Sequence, residues 1–219
     1  MRDIRFIIYD LDGLLLDTEP FYTQTCTEIA ARYGKVFTPA IKAQIMGRKA
    51  TEAAEIFVKA LDLPIDARTY LSLRKVILDV LFVQSKPRPG AEELVKHFAH
   101  HQIGQALATS TDSQALALKM QNNTWLNLLP HRITGDDPTL KAGKPAPDIF
   151  LKAAQKLGAL PHECLVFEDA PLGVQAAKAA GMTCIMVPDP NIPNTIHCEP
   201  DDRLKSLLEF KPSLWGLPG

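Results

Sequence analysis

The sequence predicts an α/β fold, a Rossmann-like, doubly wound parallel sheet with an α-helical bundle inserted just after its first strand. Three observations carry that expectation. An apolar run, IRFIIY at 4–9, ends in Asp10 and reads as a buried strand. Residues 18–86 then show helical spacing of apolar residues with no strand-like run among them. After KPRPG at 86–90, short apolar runs alternate with helical segments, the rhythm of strand–helix–strand crossovers.

Each element has its own signal. In DTEPFYTQTCTEIAARYG, Asp17 or Thr18 is the expected N-cap, Pro20 falls in the first turn and Gly34 is the stop. TPAIKAQIMG has Thr38 as N-cap, Pro39 at the first helical position and Gly47 as its end. TEAAEIFVKALDL and IDARTYLSLRKVILDVLFVQS carry apolar residues three and four apart. The core then resumes with a helix at 91–101, the run IGQALATS, a helix from about 113 to 121 and the short run HRITG. A helix at 147–157, the run CLVFED, a helix at 171–180 and TCIMVPD complete it. Right-handed crossovers then place helices on both faces of the sheet. The expected division is a core of residues 1–17 and 87–219 around a helical unit at 18–86.

Composition excludes several classes. The 219 residues are 46% hydrophobic with a formal net charge of −1, enough apolar content for a packed core and no basic block for nucleic acid. No apolar run approaches a membrane span, and MRDIRF lacks the features of a secretory signal. Cys26, Cys164, Cys184 and Cys198 are scattered, which suits reduced thiols, so a cytoplasmic protein is expected, acting as a monomer without nucleic-acid or membrane partners. His97, His100 and His101 have helical spacing but end a polar segment and read as a solvated helix end. Trp125 and Trp215 read as packing residues.

The chemistry gathers at the strand ends, where open parallel sheets bind ligands. Asp10 and Asp12 stand two apart, so on a strand both carboxylates face one side and repel unless a cation is near. Thr109 and Ser110 end the second strand, Asp136 and Asp137 follow the third, Glu168 and Asp169 end the fourth, and Lys144 precedes a helix. Oxygen ligands alone favour a hard cation such as Mg²⁺, with Asp10, Asp169 and the backbone carbonyl of Asp12 as ligands. Glu168, with Asp136 or Asp137, is the expected outer support. Thr109, Ser110, backbone N–H groups and Lys144 suit a phosphoryl group. The expected mechanism is in-line attack by Asp10 to give an aspartyl-phosphate, with Asp12 protonating the leaving oxygen and later accepting a proton from water. The pair then makes an acid beside a nucleophile, provided its surroundings favour protonated Asp12.

DLDG at 10–13, LATS at 107–110, GKPAPDIF at 143–150 and FEDAPLGVQAAKAAGM at 167–182 together resemble the four motifs of the haloacid dehalogenase-like (HAD) phosphatase superfamily, in the expected order. The helical insertion resembles the β-phosphoglucomutase-like branch, in which it forms a cap. The resemblance implies Asp10 as nucleophile, Asp12 as acid/base, Thr109 as phosphate binder, Lys144 as charge-balancing lysine and Asp169 as metal ligand. DGLLLDTEPFY, IMGRKATEAAEI, GDDP, IMVPDPN and FKPSLWGLP are similar to the pseudouridine-5′-phosphatases of that branch, which implies pseudouridine 5′-monophosphate or a related nucleotide or sugar phosphate as substrate. Glycerol-phosphate and sugar-phosphate phosphatases have similar cores. Mutases of the branch resemble the chain too, but carry a histidine where Tyr22 stands and an arginine near Ala50. A non-catalytic phosphate-ester binder is the third alternative, although no motif residue is missing. From the cap, Glu19, Tyr22, Arg48 and Lys49 are candidate substrate contacts; for the last two the alternative is ordinary solvated charge, and for Glu19 a first-turn acid on the helix dipole.

Overall fold

Strand β1 (Phe6–Tyr9) lies inside a six-stranded parallel sheet. Its neighbours are β2 (Gly104–Ala108) and β4 (Cys164–Glu168), and the full order is β3-β2-β1-β4-β5-β6, with β3 at His131–Ile133, β5 at Thr183–Met186 and β6 at Asp202–Arg203. The computed structural model describes residues 4–45, 50–188 and 198–219. The chain builds outward from β1 in one direction through β3, then restarts at β4 on the other side. Carboxyl ends on either side of that reversal form the crevice in which such sheets hold ligands.

Alternation along the strands makes two cores. Ile7, Tyr9, Leu107, Leu165 and Phe167 face one side and pack with Leu94, Val95 and Phe98 of the helix Ala91–His100. Ile8, Ala106, Ala108 and Val166 face the other, against Phe150 and Ala153 of the helix Asp148–Leu157 and Val174 of the helix Pro171–Ala179. Both faces are buried, so the strands read as unbroken apolar runs. Trp125 is buried in the first core and Trp215 packs against it.

Among the described residues, four helices lie between β1 and the helix α5 (Ala91–His100). They are α1 (Glu19–Arg32), α2 (Pro39–Ile45), α3 (Ala50–Ala60) and α4 (Ala67–Phe82). They have an apolar centre of their own, in which Ile29 and Ala30 meet Phe57, Leu61 and Tyr70, and the rings of Phe57 and Tyr70 stack at 4.4 Å. Asp66 caps α4 by accepting the Thr69 N–H at 2.7 Å. Thr18 stands at the N-cap of α1 but makes no capping bond; its hydroxyl is used in the site described below. A smaller cluster joins bundle to sheet, with Leu78 and Phe82 of α4 on Ala115 of the helix α6 (Ser113–Met120).

The structure adds what periodicity does not show. β6 is two exposed residues without an apolar pattern, and the C-terminal segment folds as short 3₁₀ turns at Leu207–Glu209 and Pro212–Trp215. Among the described residues no helix is long and apolar enough to cross a membrane. His97 sits in the last turn of its helix, where its Nε2 pairs with the Pro218 carbonyl at 2.9 Å.

Candidate active site

Backbone hydrogen bonds continue past the strand ends and fix the residues there. The Asp10 N–H donates to the Phe167 carbonyl at 3.0 Å, and the Thr109 N–H to the Ile133 carbonyl at 3.0 Å. Two glycines let the loops approach. Gly13 has φ +82°, and a Cβ there would lie 2.3 Å from Asp169 Oδ2. A Cβ on Gly173 would lie 1.8 Å from Glu168 Oε1.

Lys144 is the hub. Its buried Nζ donates to Asp10 Oδ1 at 2.5 Å and to Glu168 Oε1 at 2.6 Å, with the Phe150 ring 4.9 Å away. The second Glu168 oxygen accepts the N–H groups of Asp169 at 2.9 Å and Ala170 at 3.0 Å. Glu168 is therefore spent on protein donors, and holds Lys144 and the Asp169 loop in place. Asp169 is 7% exposed, and its carboxylate accepts no hydrogen bond among the described residues.

Three buried carboxylates thus lie around one ammonium, which pairs with Asp10 and Glu168 and leaves Asp169 without an ion pair among the described residues. Burial pushes Asp10 up to about 7; Lys144 opposes the rise, and Glu168 and Asp12 add to it. Asp169 rises well above the carboxylate range through burial, then through the charges of Glu168 and Asp10. Burial alone lowers Lys144, but the charges of Asp10 and Glu168 outweigh it and raise the ammonium. An excess of buried negative charge with one orphaned carboxylate fits a cation. Among the described residues no three His, Cys, Asp or Glu side chains form a metal cage. With Glu168 turned to Lys144, the set left is Asp10, Asp169 and the Asp12 carbonyl. Mg²⁺ takes such partial sets and completes them with water or phosphate oxygens.

Asp12 is held differently. Its Oδ1 accepts the Thr18 hydroxyl at 2.7 Å and Lys119 Nζ at 2.6 Å; its Oδ2 accepts Lys119 Nζ at 2.7 Å and the Thr111 hydroxyl. Every partner is a donor, the environment of a carboxylate rather than an acid. Burial raises Asp12, but the Lys119 charge and the hydrogen bonds of Lys119, Thr111 and Thr18 outweigh it and hold the group below its ordinary value. The acid role needs the opposite environment. Lys119, which lies in none of the sequence motifs, reverses the sign. In this conformation Asp12 is an ionised carboxylate.

The remaining candidates divide. Thr109 is buried beside Asp10, and its hydroxyl accepts the Thr111 N–H at 3.1 Å; Ser110 is exposed on the same cavity wall. Asp136 and Asp137 do not support the centre. Asp136 holds the N–H and hydroxyl of Ser113 at the start of α6, and Asp137 holds the N–H and hydroxyl of Thr139 in its own turn, where a short carboxylate meets the nearest free donors. Glu19 and Tyr22 line the cavity over Asp10 and Asp12, with Glu19 3.2 Å from Lys42 Nζ. Arg48 and Lys49 lie outside the described residues. The cavity encloses about 840 Å³ between strand ends and bundle. Phe37, Ile45, Tyr70, Leu71 and Phe82 form its apolar wall. Arg74, absent from the sequence reading, lies over the Tyr22 ring at 5.1 Å, with no carboxylate within 4 Å among the described residues.

Residues 7–187 match the family model of haloacid dehalogenase-like hydrolases. The chain belongs to that family. It is 46% identical over 221 aligned positions to (DL)-glycerol-3-phosphatase 2 of Arabidopsis thaliana, covering 98% of this chain and 92% of the relative. It is 38% identical to a probable pseudouridine-5′-phosphatase of Drosophila melanogaster, covering 100% of this chain and 96% of that one. Among solved structures, CbbY of Rhodobacter sphaeroides in complex with phosphate superposes with a TM-score of 0.78 at 22% identity, over 94% of this chain and 96% of that chain, a likeness of fold. This HAD enzyme is a hydrolase of small phosphoric monoesters.

Proposed function

We propose that this HAD phosphatase hydrolyses its ester through an aspartyl-phosphate on Asp10, with Mg²⁺ as cofactor and pseudouridine 5′-monophosphate as substrate. The observation that carries the chemistry is Lys144 Nζ at 2.5 Å from Asp10 and 2.6 Å from Glu168. It orients the carboxylate of Asp10 and places a positive charge where an anionic ester must approach an anionic nucleophile. Thr109 and Ser110 bind phosphoryl oxygens. An Asp10 oxygen bonds to phosphorus while the ester oxygen departs and takes a proton from Asp12, whose carboxylate is ionised in this conformation and first takes that proton from solvent. Water then attacks phosphorus, Asp12 accepts its proton, and the carboxylate of Asp10 is released with phosphate. Mg²⁺, held by Asp10, Asp169 and the Asp12 carbonyl, would supply neutralisation of the charge that develops on the phosphoryl oxygens.

Residues 18–86 act as the cap over this chemistry in our reading, and 1–17 with 87–219 as the core. For the substrate, the apolar wall and the volume of about 840 Å³ accommodate a nucleoside, and Tyr22 and Arg74 offer donors to it. Glycerol 3-phosphate is the second reading, favoured by the 46% identity to the Arabidopsis glycerol-3-phosphatase. Where the resemblance to mutases implies a histidine and an arginine, the cavity carries Tyr22 and Ala50, which supports hydrolysis over transfer between sugar hydroxyls. A cytoplasmic setting is supported by four cysteines that are all free.

The test is phosphate release with Mg²⁺ or with EDTA from pseudouridine 5′-monophosphate, glycerol 3-phosphate, glucose 1-phosphate and common nucleotides, with beryllium trifluoride trapping alongside. Release of phosphate that EDTA abolishes and Mg²⁺ restores is the expected result. Glucose 6-phosphate formed without net phosphate release, or a beryllium adduct away from Asp10, would overturn the mechanism.

A further inference from the structure

The site holds a second buried lysine that the proposed cycle does not use. Lys119 stands on α6, its side chain 0% exposed, and spans both Asp12 oxygens at 2.6 and 2.7 Å while also donating to Thr111 Oγ1 at 3.0 Å. Its place is fixed from two sides. The Phe82 ring, from the last turn of α4, covers the ammonium at 4.1 Å. The Lys119 carbonyl accepts the Asn123 side-chain amide at 2.8 Å, and the same amide donates to the Ser85 carbonyl at 2.9 Å on the segment returning from the bundle. Lys119 has no contact with Asp10, Lys144 or Glu168 among the hydrogen bonds and ion pairs of the described residues. A sealed lysine whose donors all converge on one carboxylate and its neighbouring hydroxyl has a single partner to serve.

We propose that Lys119 is the positioning residue for Asp12, the group that sets where its carboxylate stands for proton transfer, and that it takes no part in phosphate binding. This rests on the reading of Asp12 as the acid/base. In the transfer half, the bond from Asp10 to phosphorus forms and the ester P–O bond breaks. Its electron pair stays on the leaving oxygen, which takes the proton that Asp12 has drawn from solvent. A misplaced Asp12 therefore harms esters whose leaving oxygen must be protonated. It spares those whose leaving group departs as a stable anion. Lys144 acts on phosphorus and has no such selectivity.

The experiment compares kcat/KM, which reports the transfer half, for p-nitrophenyl phosphate and for whichever alkyl ester the wild type hydrolyses fastest, pseudouridine 5′-monophosphate or glycerol 3-phosphate. Lys119→Met and Lys119→Gln should lose kcat/KM on the alkyl ester by about 100-fold, the scale of general acid–base catalysis, with p-nitrophenyl phosphate close to wild type. The retained activity also shows that the variants fold. Equal losses on both esters in both variants would make Lys119 merely structural and overturn the proposal, as would unchanged alkyl-ester hydrolysis. A wild type that releases phosphate from none of the three esters fails the phosphatase mechanism first, visibly apart from any effect of Lys119.

Discussion

Asp10 and Asp12 stand two positions apart, yet replacing each by asparagine should move stability in opposite directions in the metal-free enzyme. Burial and two neighbouring carboxylates push Asp10 from an ordinary 3.8 up to about 7. Between those values the folded protein binds a proton that the unfolded chain has lost. Stability therefore falls as pH rises through that window and stays low above it. At about 1.4 kcal/mol per pH unit, the ionised Asp10 carboxylate costs the fold about 4 kcal/mol above pH 7. The opposing charge and hydrogen bond of Lys144 are already contained in that value, so Asp10→Asn, which removes the charge, gains up to about 4 kcal/mol. For a chain of this size that raises Tm by roughly 10 °C.

Asp12 has the other sign. Its folded-state value is depressed, so it stabilises the fold at neutral pH and that contribution fades as pH falls below the ordinary carboxylate range. Asp12→Asn leaves Lys119 buried beside a neutral amide, and breaking a buried pair in this way costs about 3–5 kcal/mol. Thermal unfolding in EDTA between pH 5 and 8.5 checks both: Asp10→Asn above wild type with the gap widening toward pH 7, and Asp12→Asn below it. Two variants displaced in the same direction at pH 8 would refute the electrostatic assignment.

Other outcomes follow from the same geometry. Lys144→Met should lower kcat by at least about 100-fold and weaken inhibition by inorganic phosphate, measured by steady-state kinetics, because one charge serves nucleophile and ester together. Gly173→Ala should destabilise the fold by more than about 3 kcal/mol in denaturant titration, since its Cβ would meet Glu168 Oε1 at 1.8 Å and Glu168 is pinned by Lys144 and two backbone N–H groups. Mg²⁺ should raise the Tm of the wild type more than that of Asp10→Asn, because the carboxylate excess it relieves is smaller in the variant.

The sheet was legible because burial on both faces leaves its strands as unbroken apolar runs, and IRFIIY and CLVFED need no partner to be recognised. The bundle was legible because Pro20, Pro39 and Gly34 stand at its helix ends. β6 was not: two exposed residues, Asp202 and Arg203, are a strand only because the edge of β5 offers them hydrogen bonds. Asp136 and Asp137 misled for a related reason. Position after a strand brings a residue near the crevice, but Asp137 is used by the donors of its own turn and Asp136 by Ser113 at the start of α6, a partner 23 residues away that no local window shows.

Lys144 and Lys119 show where the line falls. Lys144 sits in a loop beside Gly143 and Pro145, where its neighbours in sequence mark it. Lys119 sits in SQALALKM, and sequence neighbours make it look like a charged residue near a helix end. Its phase says otherwise. Lys119 is four residues from Ala115 and three from Leu116, both buried, so it lies on the stripe of α6 that faces inward. A lysine on a buried stripe has to find an anion in the interior. Near the end of β1 that anion is the carboxylate of Asp12, already delivered there beside Asp10. The signal was present in the sequence as a violation of amphipathic pattern. It became chemical only once the fold set α6 against the loop that follows β1, which is information of tertiary range that no local window carries.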